Sequence, residues 1–183
     1  TMLPAALRPT PDESGMTVPQ LLEHRINALF EQIPLVAELG EAFARAGHDL
    51  YLVGGSVRDA LMGRLGHDLD FTTDARPDDT EAILRQHTHA TWDIGRAFGT
   101  IGAQIDDWVV EVTTYRADAY HPDSRKPEIV YGETLKDDLI RRDFTVNAMA
   151  LHAATRTFSD HYAGLTDIVS GILRTPFPPE RSF

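Results

Sequence analysis

An apolar run, Leu50-Tyr51-Leu52-Val53, stops at two adjacent glycines, Gly54-Gly55, and Ser56-Val57-Arg58-Asp59 follows without a break. Such a run, bounded by a turn signal, reads as a buried strand. Paired glycines permit a tight turn and let a ligand approach the backbone closely. Val57 to Met62 then reads as a short helix, and Leu69 to Thr73 as a second strand entered through Asp68-Leu69-Asp70-Phe71. Strand, glycine corner, short helix and strand in such close order imply a mixed sheet with helices, an α+β domain.

The flanking segments agree. From Val18 to Gly47, Leu21, Leu22, Ile26, Leu29, Phe30 and Ile33 recur at helical spacing, Pro34 interrupts, and Val36, Leu39, Phe43 and Ala46 resume it. This predicts two consecutive helices closed by Gly47. Pro77 to Gln86 reads as a helix. Thr100 to Ile105 and Trp108 to Tyr115, separated by Asp106-Asp107, read as a hairpin. Ala117 to Glu128, with Pro122 and Pro127, reads as a loop, Leu135 to Arg142 as a helix, and Ala148 to His152 as a helix or a strand. The organisation expected is a flexible leader over residues 1–17, N-terminal helices over 18–47, a mixed-sheet head over 48–175, and the start of a linker over 176–183.

Composition narrows the chemistry. The 183 residues include no cysteine, which excludes disulfides, thiolate metal sites and cysteine nucleophiles. No apolar run is long enough to span a bilayer and no secretory signal is visible, so a cytoplasmic location with no membrane partner is expected. With 28 acidic and 17 basic residues the formal charge is −11, so a nucleic-acid partner must be held by a local patch, by metal ions or by other parts of a larger protein.

Four clusters carry chemistry. At Gly54-Gly55-Ser56-Val57-Arg58-Asp59, Ser56 is placed to cap the helix, the first-turn N–H groups suit an anion, and Arg58 adds a fork for phosphate. An ordinary strand–turn–helix corner has the same pattern. Asp68 and Asp70 alternate along a strand and so share one face, which is unfavourable unless a cation lies between them. Magnesium, a hard cation with oxygen ligands, suits them; a solvated strand end reads alike. Glu111, between Val110 and Val112, shares a face with Val109 and Thr113. It is either a solvent-facing residue or a third acid. Arg141-Arg142-Asp143-Phe144-Thr145-Val146-Asn147 joins two arginines suited to a triphosphate with an acid and an amide suited to ribose hydroxyls. The histidines show no ligand spacing and read as surface or satisfied residues.

In this order LVGGSVRDALMGRLGHDLDFTTDARP, VEVTTYR and LIRRDFTVNAMAL resemble the catalytic head of the class II CCA-adding enzymes, tRNA nucleotidyltransferases of the polymerase-beta-like superfamily. The likeness runs from about Tyr51 to Arg174, and AFGTIGAQ and SRKPEIVYG are similar to the actinobacterial branch. The resemblance implies that Asp68, Asp70 and Glu111 are the catalytic acids and hold magnesium. It implies that Gly55 and Arg58, with Gly54 and Ser56 of the same corner, lie at the nucleotide phosphates, that Arg142 contacts the nucleotide, and that Asp143 and Asn147 lie near its sugar. The implied reaction is attack of a tRNA 3′-hydroxyl on the α-phosphate of CTP or ATP with release of pyrophosphate. Bacterial poly(A) polymerases share this head, so a different RNA acceptor stays open, as does a nucleotide-binding fragment without catalysis. Family members follow the head with a base-selecting Asp/Glu-Asp-Pro-Leu-Arg helix and a tRNA-gripping neck, body and tail. None of these is seen before Phe183, so an isolated head is expected, with weak or no accurate CCA addition and a neck-facing surface open to self-association. His161 and Ala163 stand where relatives often have proline and glycine, a change expected to alter only a turn.

Overall fold

The computed structural model describes residues 7–64, 66–117 and 130–177. Most of the loop read from Ala117 to Glu128, with Ser124-Arg125-Lys126-Pro127, lies outside them, as do residues 178–183.

Two helices open the domain. In α1 (Val18–Gln32), the Thr17 side chain accepts from the Gln20 amide while Gln20 reaches back, a capping box at the N-terminus. Its buried residues Leu21, Ile26, Leu29 and Phe30 follow the period of the sequence. Pro34 starts α2 (Pro34–Arg45), which buries Leu35, Val36, Leu39 and Phe43. Beyond these come β1 (Leu50–Val53), α3 (Gly55–Leu61), β2 (Asp68–Thr73), α4 (Pro77–Leu84), β3 (Thr91–Gly95), β4 (Thr100–Ile105) and β5 (Trp108–Thr114). The chain continues through β6 (Arg116–Ala117), β7 (Val130–Tyr131), α5 (Leu135–Ile140), β8 (Ala150–His152), β9 (Phe158–Ser159) and α6 (Gly164–Ser170).

Seven strands form one sheet in the order β3-β4-β5-β2-β1-β8-β9, and β6 pairs with β7 separately. Within the large sheet β2 and β5 run parallel, and the other neighbours run antiparallel. One face carries Leu50, Leu52, Leu69, Phe71, Ile101, Ala103, Val110 and Val112 into the main core with α1 to α4. On the other face a smaller core joins Val53 and Ala150 to Leu139 of α5. The α5 helix thus covers only part of that second face, and Asp68 and Asp70 remain open beside it. The expected mixed-sheet α+β fold is the one observed. Ala150–His152 resolves as a strand.

The leader differs from expectation from Leu7 onward. Leu7 is buried in the main core, and a short 3-10 turn, Pro11–Glu13, places Glu13 inside the protein. There the Arg25 guanidinium donates to both carboxylate oxygens of Glu13 (3.0 and 3.0 Å), to the Leu61 carbonyl (2.5 Å) and to the Arg8 carbonyl (3.2 Å). A charge-assisted pair with this many bonds ties the leader to α1 and to the end of α3. The Arg25 hydrogen bond holds the Glu13 carboxyl down to about 2, from an ordinary 4.5. A carboxyl depressed in the folded state stabilises above its unfolded pKa, and that stabilisation drains away as pH falls from about 4.5 towards 2. Thermal melts across this window should therefore fall more steeply for the wild type than for Glu13→Gln, whose group does not titrate.

Ala163 stands in the turn that leads into α6. It sits at φ 60° just before α6, in the left-handed region that costs a residue with a Cβ roughly 1 kcal/mol or more. Asp160 accepts from the Gly164 and Leu165 amides (2.7 and 3.0 Å) and holds this start in place. Ala163→Gly should raise stability by about 1 kcal/mol, seen as a melting temperature a few degrees higher. An unchanged or lower value would show that the strain is absent.

Candidate active site

The acids come together through the register of two strands. In the parallel pair β2–β5, Asp70 lies opposite Glu111 and Asp68 opposite Val109. Residues paired across a sheet point to the same face, so Asp68, Asp70 and Glu111 stand on the open face. Like charges raise one another's pKa. Glu111 is raised by partial burial, then by Asp70 and Asp68. Asp70 is raised by the surrounding protein and by Asp68, while Arg142 pulls it back. Asp70 is accessible to solvent yet sits in a dish of protein atoms, which accounts for both observations. Among the described residues, no three His, Cys, Asp or Glu side chains already close on one point as a metal cluster would.

The glycine corner lies beside these acids. Gly54 adopts φ 67° and ψ −141°, a conformation available to glycine. Ser56 does not cap α3; Gly54 holds that position. The Ser56 hydroxyl instead donates to the Asp68 carbonyl and accepts from the Asp70 amide (3.2 Å each), stitching the corner to the strand that carries both acids. The Arg58 guanidinium folds back over Gly55, where a methyl group would lie 3.3 Å from its Nη2. It donates to Asn147 Oδ1 (2.7 Å) and Asp59 Oδ1 (2.9 Å). Asn147 in turn donates to Asp143 Oδ1 (3.0 Å). Arg142 Nη1 lies 3.1 Å from where a methyl group on Gly54 would stand.

Thus Gly54, Gly55, Ser56, Arg58, Arg142, Asp143 and Asn147, read from two distant stretches, line one side of the acids. Asp138 escaped the sequence reading. It is 3% exposed on α5, accepts from Arg142 Nη2 (3.1 Å) and from the Arg116 amide (3.2 Å), and so aims Arg142 at the corner. The signal was its spacing of four from Arg142 on a helix.

The glycine corner, the three acids on adjoining strands and the arginine-rich turn thus meet at one face of the sheet. The chain belongs to the Poly A polymerase head domain family, whose model matches residues 50–174. It is 40% identical over 158 residues to a CCA-adding enzyme of Staphylococcus aureus (strain MRSA252), which covers 85% of this chain and 37% of that protein. Among solved structures it is similar to the Bacillus stearothermophilus CCA-adding enzyme in complex with CTP, at 33% identity and a TM-score of 0.71 over 82% of this chain and 35% of that one. A tRNA nucleotidyltransferase complexed with a primer tRNA and an incoming ATP analog matches at 32% identity, a TM-score of 0.63, and 76% and 39% coverage. The chain spans a little over a third of the length of the curated relatives it matches.

Proposed function

We propose that this chain is the nucleotidyl-transfer head of a CCA-adding enzyme: it positions CTP or ATP for attack by the 3′-hydroxyl of a tRNA. The observation that carries the reading is the register that sets Asp70 beside Glu111 on the face next to the glycine corner. The bond formed is between the acceptor O3′ and the α-phosphorus; the bond broken is between that phosphorus and the oxygen bridging to the β-phosphate, so pyrophosphate leaves. Arg58 and Arg142 hold the phosphates from the corner side, and Asn147 with Asp143 reaches the sugar.

Asp68, Asp70 and Glu111 would hold divalent magnesium. The donor set fits: all are carboxylate oxygens, the kind a hard cation takes, and their mutual repulsion is relieved by positive charge between them. A magnesium ion bound there supplies Lewis-acid stabilisation of the phosphate charge. Glu111, on the side away from the corner, faces the attacking hydroxyl. The tRNA 3′ end and the two nucleotides are the partners, and the cytoplasm, where tRNA is processed, is the compartment.

The similarity to CCA-adding enzymes in the first relatives and solved structures favours tRNA over another RNA acceptor. The test is titration of CTP and ATP with and without magnesium, followed by incubation of labelled nucleotide with tRNA lacking its 3′ end. Magnesium-dependent binding of both nucleotides with little preference is expected. Binding that ignores magnesium, or product that grows as long adenylate tracts, would replace this reading.

A further inference from the structure

On the side of Glu111 away from the glycine corner, the sheet carries an unusual row. Trp92 of β3 pairs with Gly102 of β4, Gly102 pairs with Glu111, and Glu111 pairs with Asp70, so all four residues share the open face. Gly102 has no side chain, and the Trp92 indole occupies that space: a methyl group at Gly102 would lie 2.3 Å from Trp92 Nε1 and 2.6 Å from Cε2. The indole therefore lies across β4, at the position next to Glu111. It is partly exposed, while its Nε1 is buried without a hydrogen-bond partner among the described residues. An indole N–H can only donate, and buried donors in native proteins are nearly always paired.

We propose that Trp92 is the stacking platform for the 3′-terminal nucleotide of the RNA acceptor. This rests on the reading of Asp68, Asp70 and Glu111 as the transfer site. In-line displacement places the attacking and leaving oxygens on opposite sides of phosphorus. The phosphate-holding residues Arg58 and Arg142 lie on the β1 side of Asp70, so the attacking hydroxyl arrives from the β4 side, where the indole lies. Proteins hold single-stranded nucleic acid by combining an aromatic face with a nearby cation. The cation is Arg116, which donates to Thr100 Oγ1 (3.1 Å); Thr100 pairs with Thr113 one step along the same face. The Arg116 Nε is also buried without a partner among the described residues.

The probe is a short single-stranded oligoribonucleotide ending in 2-aminopurine, titrated into the 183-residue chain with magnesium. Stacking on Trp92 should quench its emission. Trp92→Phe should retain the quench, whereas Trp92→Leu, which still fills the space over Gly102, should weaken RNA binding roughly tenfold or more. CTP affinity should stay constant in all three. Trp108 is the other tryptophan, so a Trp108→Phe chain reports Trp92 alone, and RNA should shield it from acrylamide even if the Leu variant does not fold. Equal RNA binding by Trp92→Leu and wild type, or no shielding, would overturn the platform. Loss of magnesium-dependent CTP binding in the wild type would instead strike the transfer-site reading.

Discussion

Asp70→Asn is expected to lower magnesium-dependent incorporation of labelled CMP into a tRNA lacking its 3′ end by at least about a hundredfold, a scale typical for losing one group that stabilises transition-state charge. The same variant should melt no lower than wild type. The wild-type carboxyl is raised above its ordinary value by its surroundings and by Asp68. A carboxyl raised on folding weakens the fold at neutral pH, so removing its charge leaves stability unchanged or slightly higher. Activity and stability would then move apart, the pattern of a site strained for function. A variant that keeps near-wild-type incorporation would show that Asp70 is not part of the transfer chemistry. One that loses activity only because it melts early would show a structural role.

Arg25→Met should cost about 3–5 kcal/mol, because it leaves the buried Glu13 carboxylate and the Leu61 carbonyl without their partner. At roughly 2–4 °C per kcal/mol for a domain of this size, melting should fall by about 6–20 °C. Combining it with Glu13→Gln should recover part of the loss, since the stranded charge is then gone. A single variant melting within a degree or two of wild type would mean that the clamp adds nothing. Because the bond to Leu61 holds the end of α3, whose start carries Gly55 and Arg58, CTP affinity should weaken in parallel with stability.

The helices α1 and α2 were legible because each repeats apolar residues over several turns between clear punctuation, Pro34 and Gly47. The strand β3 was not: Thr91-Trp92-Asp93-Ile94-Gly95 mixes an acid and a glycine into a run at the edge of the sheet, where alternation is weakly enforced. Helix α6 was missed because seven residues between Ala163 and Gly171 give too few turns for periodicity to show. Within the site, the residues of the corner and of the arginine-rich turn stood out by type, and the structure brings them together. Asp138 did not stand out in an acidic chain, since burial of a charge is set by what folds over it. The partner of Arg25 was equally hidden, because a 3-10 turn outside any periodic segment delivers it.

The short ladder β6–β7 joins Arg116 to Tyr131 and Ala117 to Val130. It closes the chain on either side of residues 118–129 just after the strand that carries Glu111. Because the Arg116 amide also donates to Asp138, the ladder pins α5 to the stretch that follows the Glu111 strand. Losing that pairing would loosen the helix whose Asp138 orients Arg142, and so disturb the nucleotide corner without altering any of the three acids.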